Sequence, residues 1–174
     1  MTESLRDEGR ARETALLRHT LATMAYRAEK VLRDPPEGLA THRIGERSRT
    51  AGEILGHLGD LMTWAVEMTE GRWTWRAAGT GDWNADVDRF FDQVARLDAA
   101  LAAGAPEAHP AGVIFQGPIA DALTHVGQIA MLRGQLGAPV RPESFAKARI
   151  EIGRVGRDQA AERREFDGDA SARR

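Results

Sequence analysis

The chain has 174 residues, 42% of them apolar, which is enough for one domain with a sizeable core. Its 24 basic and 26 acidic residues leave a formal net charge of -2. Neither sign is concentrated in a stripe that could follow the phosphate backbone of a nucleic acid, so we expect no nucleic-acid partner. The absence of cysteine excludes disulfides, thiolate metal ligands and a cysteine nucleophile.

Residues 4–33 and 50–70 carry apolar side chains at the three- and four-residue spacing of amphipathic helices. Pro35 and Pro36 follow the first of these segments and end it, because proline cannot continue a helix. The second segment begins at Thr50, which is followed three residues later by Glu53 in the pattern of a capping box. Two helices are therefore predicted in the first 70 residues.

Two further helices are predicted over residues 84–103 and 117–136. The linker before the third helix contains Trp73 and Trp75. Gly117 and Pro118 open the fourth helix, with the proline at its first helical position, and Gly137 ends it. Four helices without an alternating strand pattern predict an all-α fold, a four-helix bundle.

We expect two parts in the chain, a helical bundle over residues 1–137 and an extended arm with a polar tail over residues 138–174, which frays beyond about Phe166. The arm has apolar residues at Val140, Phe145, Ile150 and Ile152 without an evident partner in the same chain. No segment approaches about 18 continuous apolar residues, and the first residues lack a secretory pattern. A cytoplasmic protein without a membrane partner is expected.

Three residues form a candidate metal site. Asp121 and His125 are four residues apart on the fourth helix, which at about 100° per residue places both on one edge of its buried face. His57 borders the apolar stripe of the second helix. Two histidines and one carboxylate leave coordination positions open for water or substrate, which is typical of a catalytic metal rather than a structural one.

Each of these residues also has a structural interpretation. His57 fits a histidine at a helix edge with one nitrogen hydrogen-bonded and the other in water. Asp121, near the predicted start of the fourth helix, fits an acid that complements the helix dipole. Glu53 is either a fourth ligand or an acceptor for His57, or it serves only the capping box, which we favour.

Two segments resemble the motifs of one protein family. Residues 50–58, which include His57, resemble the second-helix histidine motif of the DinB-like superfamily (DinB/YfiT-like proteins), and residues 124–129 resemble its last-helix His-x-Gly-Gln motif. The resemblance covers about residues 10–136. It implies a four-helix bundle of up-down-down-up topology, frequent homodimers, and a divalent metal held by one histidine of the second helix and a His-x-x-x-His pair of the last.

His57 and His125 match two of the three ligand positions that this resemblance implies, whereas Asp121 stands where the family has its third histidine. The site is therefore either His57, Asp121 and His125 or a degenerate one. An aspartate supplies an anionic oxygen, which makes a bound water less acidic than three imidazoles would and admits Mn²⁺, Fe²⁺ or Ni²⁺ as well as Zn²⁺.

Three other residues have candidate roles near this site. Arg133 lies inside the apolar arc of the fourth helix, so we expect an anionic partner for it, which is a buried Asp or Glu, as we favour, or a substrate carboxylate. Trp64, on the same side of its helix as His57, lines the pocket mouth or simply packs. Gln128 hydrogen-bonds a metal-bound water or faces solvent.

These residues predict a metal-dependent enzyme that acts on a small molecule. The resemblance to the DinB-like superfamily implies the reaction type, which is that of a thiol S-transferase, isomerase or hydrolase, and a low-molecular-weight thiol as a candidate substrate. In this interpretation the ion acts as a Lewis acid and lowers the pKa of the bound nucleophile. The alternative is a non-catalytic dimeric stress or scaffold protein with a degenerate metal site. A homodimer that buries helix faces or the arm is expected in both cases.

Overall fold

The computed structural model describes residues 3–104, 106 and 108–166, and these form an all-α protein, as predicted. The helices are α1 (Glu3–Leu32), α2 (Ala51–Thr69), α3 (Trp83–Ala103), α4 (Ala111–Ile114) and α5 (Ala120–Gln135). A π-helical turn (Phe115–Ile119) joins α4 directly to α5, so these three elements form one continuous rod. In this part of the chain the only β-type pairing is an isolated bridge between Glu143 and Glu165.

The start of α2 confirms the predicted capping box. The Thr50 hydroxyl accepts the main-chain N–H of Glu53 at 3.1 Å, and the Glu53 carboxylate accepts the main-chain N–H of Thr50 at 2.7 Å. Asp82 caps α3 in a similar way by accepting the N–H of Ala85 at 2.8 Å. Both helices therefore begin where a side chain satisfies main-chain donors that have no partner within the helix.

The predicted start of the last helix at Gly117 is wrong, because the helical rod already begins at Ala111. Pro118 lies inside the rod, in the π-helical turn, rather than at a first helical position. The main-chain N–H of Ala120 reaches back to the carbonyl of Phe115, five residues earlier. The wider π turn accommodates a proline that would remove a hydrogen bond and clash within a regular α-helix.

A continuous core fills the space between the helices. Its largest fully buried side chains come from α1, α2, α3, the rod of α4 and α5, and the α1–α2 connection. They include Leu21, Met24, Leu39, Leu55, Leu58, Phe90, Leu97 and Ile114. Burying each such side chain contributes about 1.5–3 kcal/mol. None of the described helices is both long and apolar enough to cross a membrane.

Helices α1 and α2 each pack against both α3 and α5. Arg18 near the middle of α1 pairs with Asp98 near the end of α3 at 2.9 Å. Arg89, near the start of α3, reaches the first half of α2. The contacts place α2 and the rod that contains α5 side by side, which is the arrangement that the candidate site requires.

Arg133 of α5 has carbonyl oxygens as partners, and our expectation of a carboxylate partner is wrong. Its guanidinium donates to the carbonyls of Val31 at 2.8 Å, Arg33 at 2.6 Å and Asp34 at 3.2 Å. It also donates to Ala138 at 3.2 Å. The last carbonyls of a helix have no partner within it and carry partial negative charge, so they suit a buried cation. Arg133 caps α1.

Residues 138–166 lie against α1 through a buried polar cluster. The Lys30 ammonium donates to the carboxylates of Glu143 and Glu165, both at 2.7 Å. The Tyr26 hydroxyl donates to Glu143, and the Phe145 ring meets the Tyr26 ring edge to face. Burial opposes ionisation of Glu143, but hydrogen bonds from Lys30, Tyr26 and the Arg164 main chain outweigh it and lower the pKa of that carboxyl.

These contacts correct one premise about the C-terminal arm. Val140 and Ile150 pack against the core, and Phe145 contacts Tyr26, so three of its four named apolar residues have partners in the same chain. Ile152 remains 47% exposed. The apolar residues of this segment therefore give no reason for a dimer. The predicted fraying beyond Phe166 falls outside the described residues.

Candidate metal centre

His57 from α2 and Asp121 and His125 from α5 converge at one point of the helix–helix interface. The Nε2 atom of His57 lies 3.5 Å from one Asp121 carboxylate oxygen, and Nε2 of His125 lies 3.4 Å from the other. One ligand atom from each residue lies within 4.8 Å of the other two. The sequence placed these residues on facing edges of two helices, and the structure brings them together.

These separations suit a metal ion. Two donors bound to a tetrahedral ion at about 2.1 Å are themselves about 3.4 Å apart. The two histidine–aspartate distances, 3.5 and 3.4 Å to the two different oxygens of the carboxylate, are close to that spacing. Asp121 is 47% exposed, whereas His57 and His125 are 15% and 13% exposed, so the centre is open to solvent on the aspartate side. The geometry leaves room for water or a small ligand at the ion.

Gln128 determines which nitrogen of His125 faces the centre. Its side-chain oxygen lies 2.8 Å from Nδ1 of His125. An amide oxygen only accepts, so Nδ1 carries the proton and the lone pair of Nε2 points to Asp121. Such partners orient metal-binding histidines and raise their basicity. Gln128 is exposed, which was one of the two roles expected for it, and its contact with His125 was not expected.

His57 stays ready to bind a metal because its neutral form is favoured. Burial is the largest cause that lowers the pKa of His57, the positive charge of Arg49 lowers it further, as does His125 when that ring is protonated, and Asp121 acts in the opposite direction. The His57 ring contacts the edge or face of Trp75 at a centroid distance of 5.3 Å and of His125 at 4.9 Å. A neutral imidazole is the form that coordinates a metal.

Asp121 does not lie where an acid would complement the helix dipole, which was the structural alternative to its role as a metal ligand. The helical main chain runs without a break from Ala111, ten residues before Asp121. The dipole effect is confined to the first turn of a helix. Asp121 and His125 instead lie on the edge of the rod that faces His57 of α2.

Glu53 serves the capping box and is not part of the group that could hold a metal. The hydrogen bond from the Thr50 main chain is the largest cause that lowers the pKa of Glu53, and the charges of Arg43 and Arg49 add to it. Our preference for the capping role is therefore confirmed. Arg133 likewise makes its hydrogen bonds at the far end of α5, at the C-terminus of α1.

Trp64, Trp73 and Trp75 form a wall of tryptophans beside His57. Of these three, the sequence predicted a role at the pocket only for Trp64. Trp64 packs edge to face against Trp73 and Trp75, at centroid distances of 5.3 and 5.8 Å. Trp73 in turn contacts His109 at 5.0 Å. Trp73 and Trp75 stand two residues apart in the α2–α3 loop, a spacing that puts both on one side of an extended chain. That spacing is the signal that reveals this wall.

The loop that carries Trp75 is held against α2 by buried charges. Arg89 donates to Asp60 at 2.8 Å and lies 3.4 Å from Asp86. Asp86 accepts the main-chain N–H groups of Thr80 and Gly81, at 3.0 and 3.2 Å. Because the loop's own amides bind a carboxylate of α3, the loop, α2 and α3 are held together beside His57.

A cleft of about 570 Å³ lies between this loop and the connection from α1 to α2. Its floor is the first turns of α2, including Gly52, Gly56 and His57, and Trp75 forms part of one side. A Cβ at Gly52 would lie 2.8 Å from the Ala40 carbonyl oxygen, and one at Gly56 would lie 3.1 Å from Cα of Gly79. The two glycines thus allow both walls to approach the helix.

Comparison with family models, with curated proteins and with solved structures gave no match to this chain.

Proposed function

We propose that this chain is a metal-dependent enzyme of the DinB-like family that uses one divalent ion bound by His57, Asp121 and His125. The observation that supports it most is the convergence of these three side chains, with histidine–aspartate separations of 3.4 and 3.5 Å. The hydrogen bond from His125 to Gln128 adds the kind of outer partner that metal-binding histidines have.

The directions of the helices support the bundle topology in this proposal. Arg18 near the middle of α1 meets Asp98 near the end of α3, whereas the ends of α1 and α5 meet through Val31 and Arg133. The first half of α2 lies beside the start of α3. We infer an up-down-down-up bundle in which residues 138–166 form an arm along α1. A homodimer belongs to the proposal through the family resemblance alone.

A bound divalent ion supplies Lewis-acid chemistry, lowering the pKa of a water or thiol at its open positions. The protein's own part is to present donors in a fixed geometry. Gln128 holds the His125 ring, burial and the charge of Arg49 favour neutral His57, and the exposed side of Asp121 leaves access for the substrate. We propose a low-molecular-weight thiol as the substrate, with S-transfer, isomerisation or hydrolysis as the reaction class.

Metal analysis of three variants tests the proposal. Protein purified without a histidine tag and reconstituted with Zn²⁺, Ni²⁺, Mn²⁺ or Fe²⁺ should bind about one ion per chain. Asp121→Asn removes the anionic donor and should weaken binding about tenfold or more, while Asp121→His should bind Zn²⁺ at least as well as the parent. Asp92→Asn, an exposed acid on α3, is the matched control and should change nothing.

A stoichiometry near zero with all four metals would reject the enzyme proposal. The non-catalytic dimeric scaffold would then be favoured, since an aspartate at the third position is also what a degenerate site would contain. Unchanged affinity in Asp121→Asn would leave only two histidines as ligands, too few for the proposed centre.

A further inference from the structure

The cleft beside His57 presents two cationic side chains that the metal centre does not use. Arg43 and Arg49 both line it, and both belong to the connection that forms the wall opposite Trp75. Arg43 makes one long hydrogen bond, at 3.4 Å, to the Glu46 carbonyl. Both side chains are exposed. Their guanidinium groups are therefore available to a ligand in the cleft.

The acids that line the same cleft are already engaged. Asp60 and Asp86 are buried and bind Arg89 and main-chain N–H groups of the loop. Glu53 accepts the Thr50 N–H in the capping box. Two guanidinium groups and the exposed Glu53 carboxylate therefore face the open volume, and the two cations outnumber that one anion.

We propose that this cleft binds the carboxylate of a small-molecule substrate through Arg43 and Arg49, while the other end of the molecule reaches the centre at His57. This proposal rests on the proposed function, because it takes His57 as a metal ligand at one end of the cleft. A volume of about 570 Å³ is within the range of small-molecule sites. A guanidinium presents two parallel donors that match the two oxygens of a carboxylate.

The test uses the full chain loaded with Zn²⁺, with succinate as the probe, because its two carboxylates supply one group for the arginines and one for the ion. Titration calorimetry measures affinity, and a change in tryptophan fluorescence, to which Trp75 in the cleft contributes, follows occupancy. The double variant Arg43→Gln/Arg49→Gln should bind succinate at least tenfold more weakly than the parent, with roughly threefold to tenfold lost for each arginine alone.

Arg47→Gln is the matched control, because Arg47 lies in the same connection, is exposed and does not line the cleft. It should bind succinate like the parent, and the uncharged diamide of succinate should bind none of the proteins measurably. Arg43, Arg47 and Arg49 are all exposed, so replacing them should not change the melting temperature. Equal succinate affinity in the parent and the double variant, or binding to the parent weaker than about 10 mM, would overturn the inference.

Metal content measured in the same samples separates this inference from the proposed function. Full metal occupancy with succinate binding that does not depend on the arginines refutes the carboxylate site and leaves the metal centre standing. Arginine-dependent succinate binding by a protein that takes up no metal supports the carboxylate site and refutes the metal centre.

Discussion

Replacing Arg89 by methionine should destabilise the protein strongly, because this one cation serves two buried carboxylates. The Arg89 side chain is 18% exposed, and its partners Asp60 and Asp86 are 6% and 2% exposed. Removing one member of a buried ion pair costs about 3–5 kcal/mol, since it leaves an uncompensated buried charge. Both carboxylates keep main-chain N–H partners, so we expect the lower end of this range, a loss of about 3 kcal/mol in the free energy of unfolding.

Urea unfolding followed by tryptophan fluorescence measures this loss. Arg96→Met, an exposed arginine on the same helix, is the control and should change the free energy of unfolding by less than about 0.5 kcal/mol. Adding Asp60→Asn and Asp86→Asn to Arg89→Met removes the uncompensated charges and should restore part of the stability. A loss below about 1 kcal/mol for Arg89→Met would refute the view that this network holds the loop in place.

Three further predictions concern single contacts. Gln128→Leu removes the acceptor for Nδ1 of His125 and should weaken Zn²⁺ binding about tenfold to a hundredfold without unfolding the protein, which metal titration with a competing chelator checks. The depressed pKa of Glu143 stabilises the fold above about pH 4.3, and this stability should be lost as the pH falls through the folded-state pKa; an acid titration of the melting temperature should show a smaller drop in Glu143→Gln. Arg133→Met leaves the last carbonyls of α1 without a donor and should lower the free energy of unfolding by about 1–3 kcal/mol in a urea titration, and no change would exclude its capping role.

The features that the sequence predicted correctly depend on short spacings. The capping box of Thr50 and Glu53 spans three residues, and the pair Asp121 and His125 spans four, so helix geometry alone relates their side chains. His57 was placed on a facing edge by the apolar stripe of its helix. The all-α class follows from the same periodicity, since a continuous helical pattern needs no information about distant parts of the chain.

The features that the sequence analysis missed depend on contacts between distant segments. Pro118 looked like the start of a helix, because a sequence pattern does not distinguish a first-turn proline from one accommodated by a π turn. Arg133 looked like half of an ion pair, but its partners are main-chain carbonyls near Val31, and every residue has such a carbonyl. The roles of Trp75 and Arg89 likewise arise only when the α2–α3 loop lies against α2.

The cluster of Tyr26, Lys30 and Glu143 determines when the end of α1 can be buried during synthesis. Lys30 lies near the end of α1, but its carboxylate partners Glu143 and Glu165 are synthesised more than a hundred residues later. Until then, an ammonium that is buried in the finished protein has no counter-charge, so the end of α1 stays in contact with water. The native burial of the end of α1 therefore requires residues 143–165, and a shortened chain that lacks them should leave this end of the helix open to proteases.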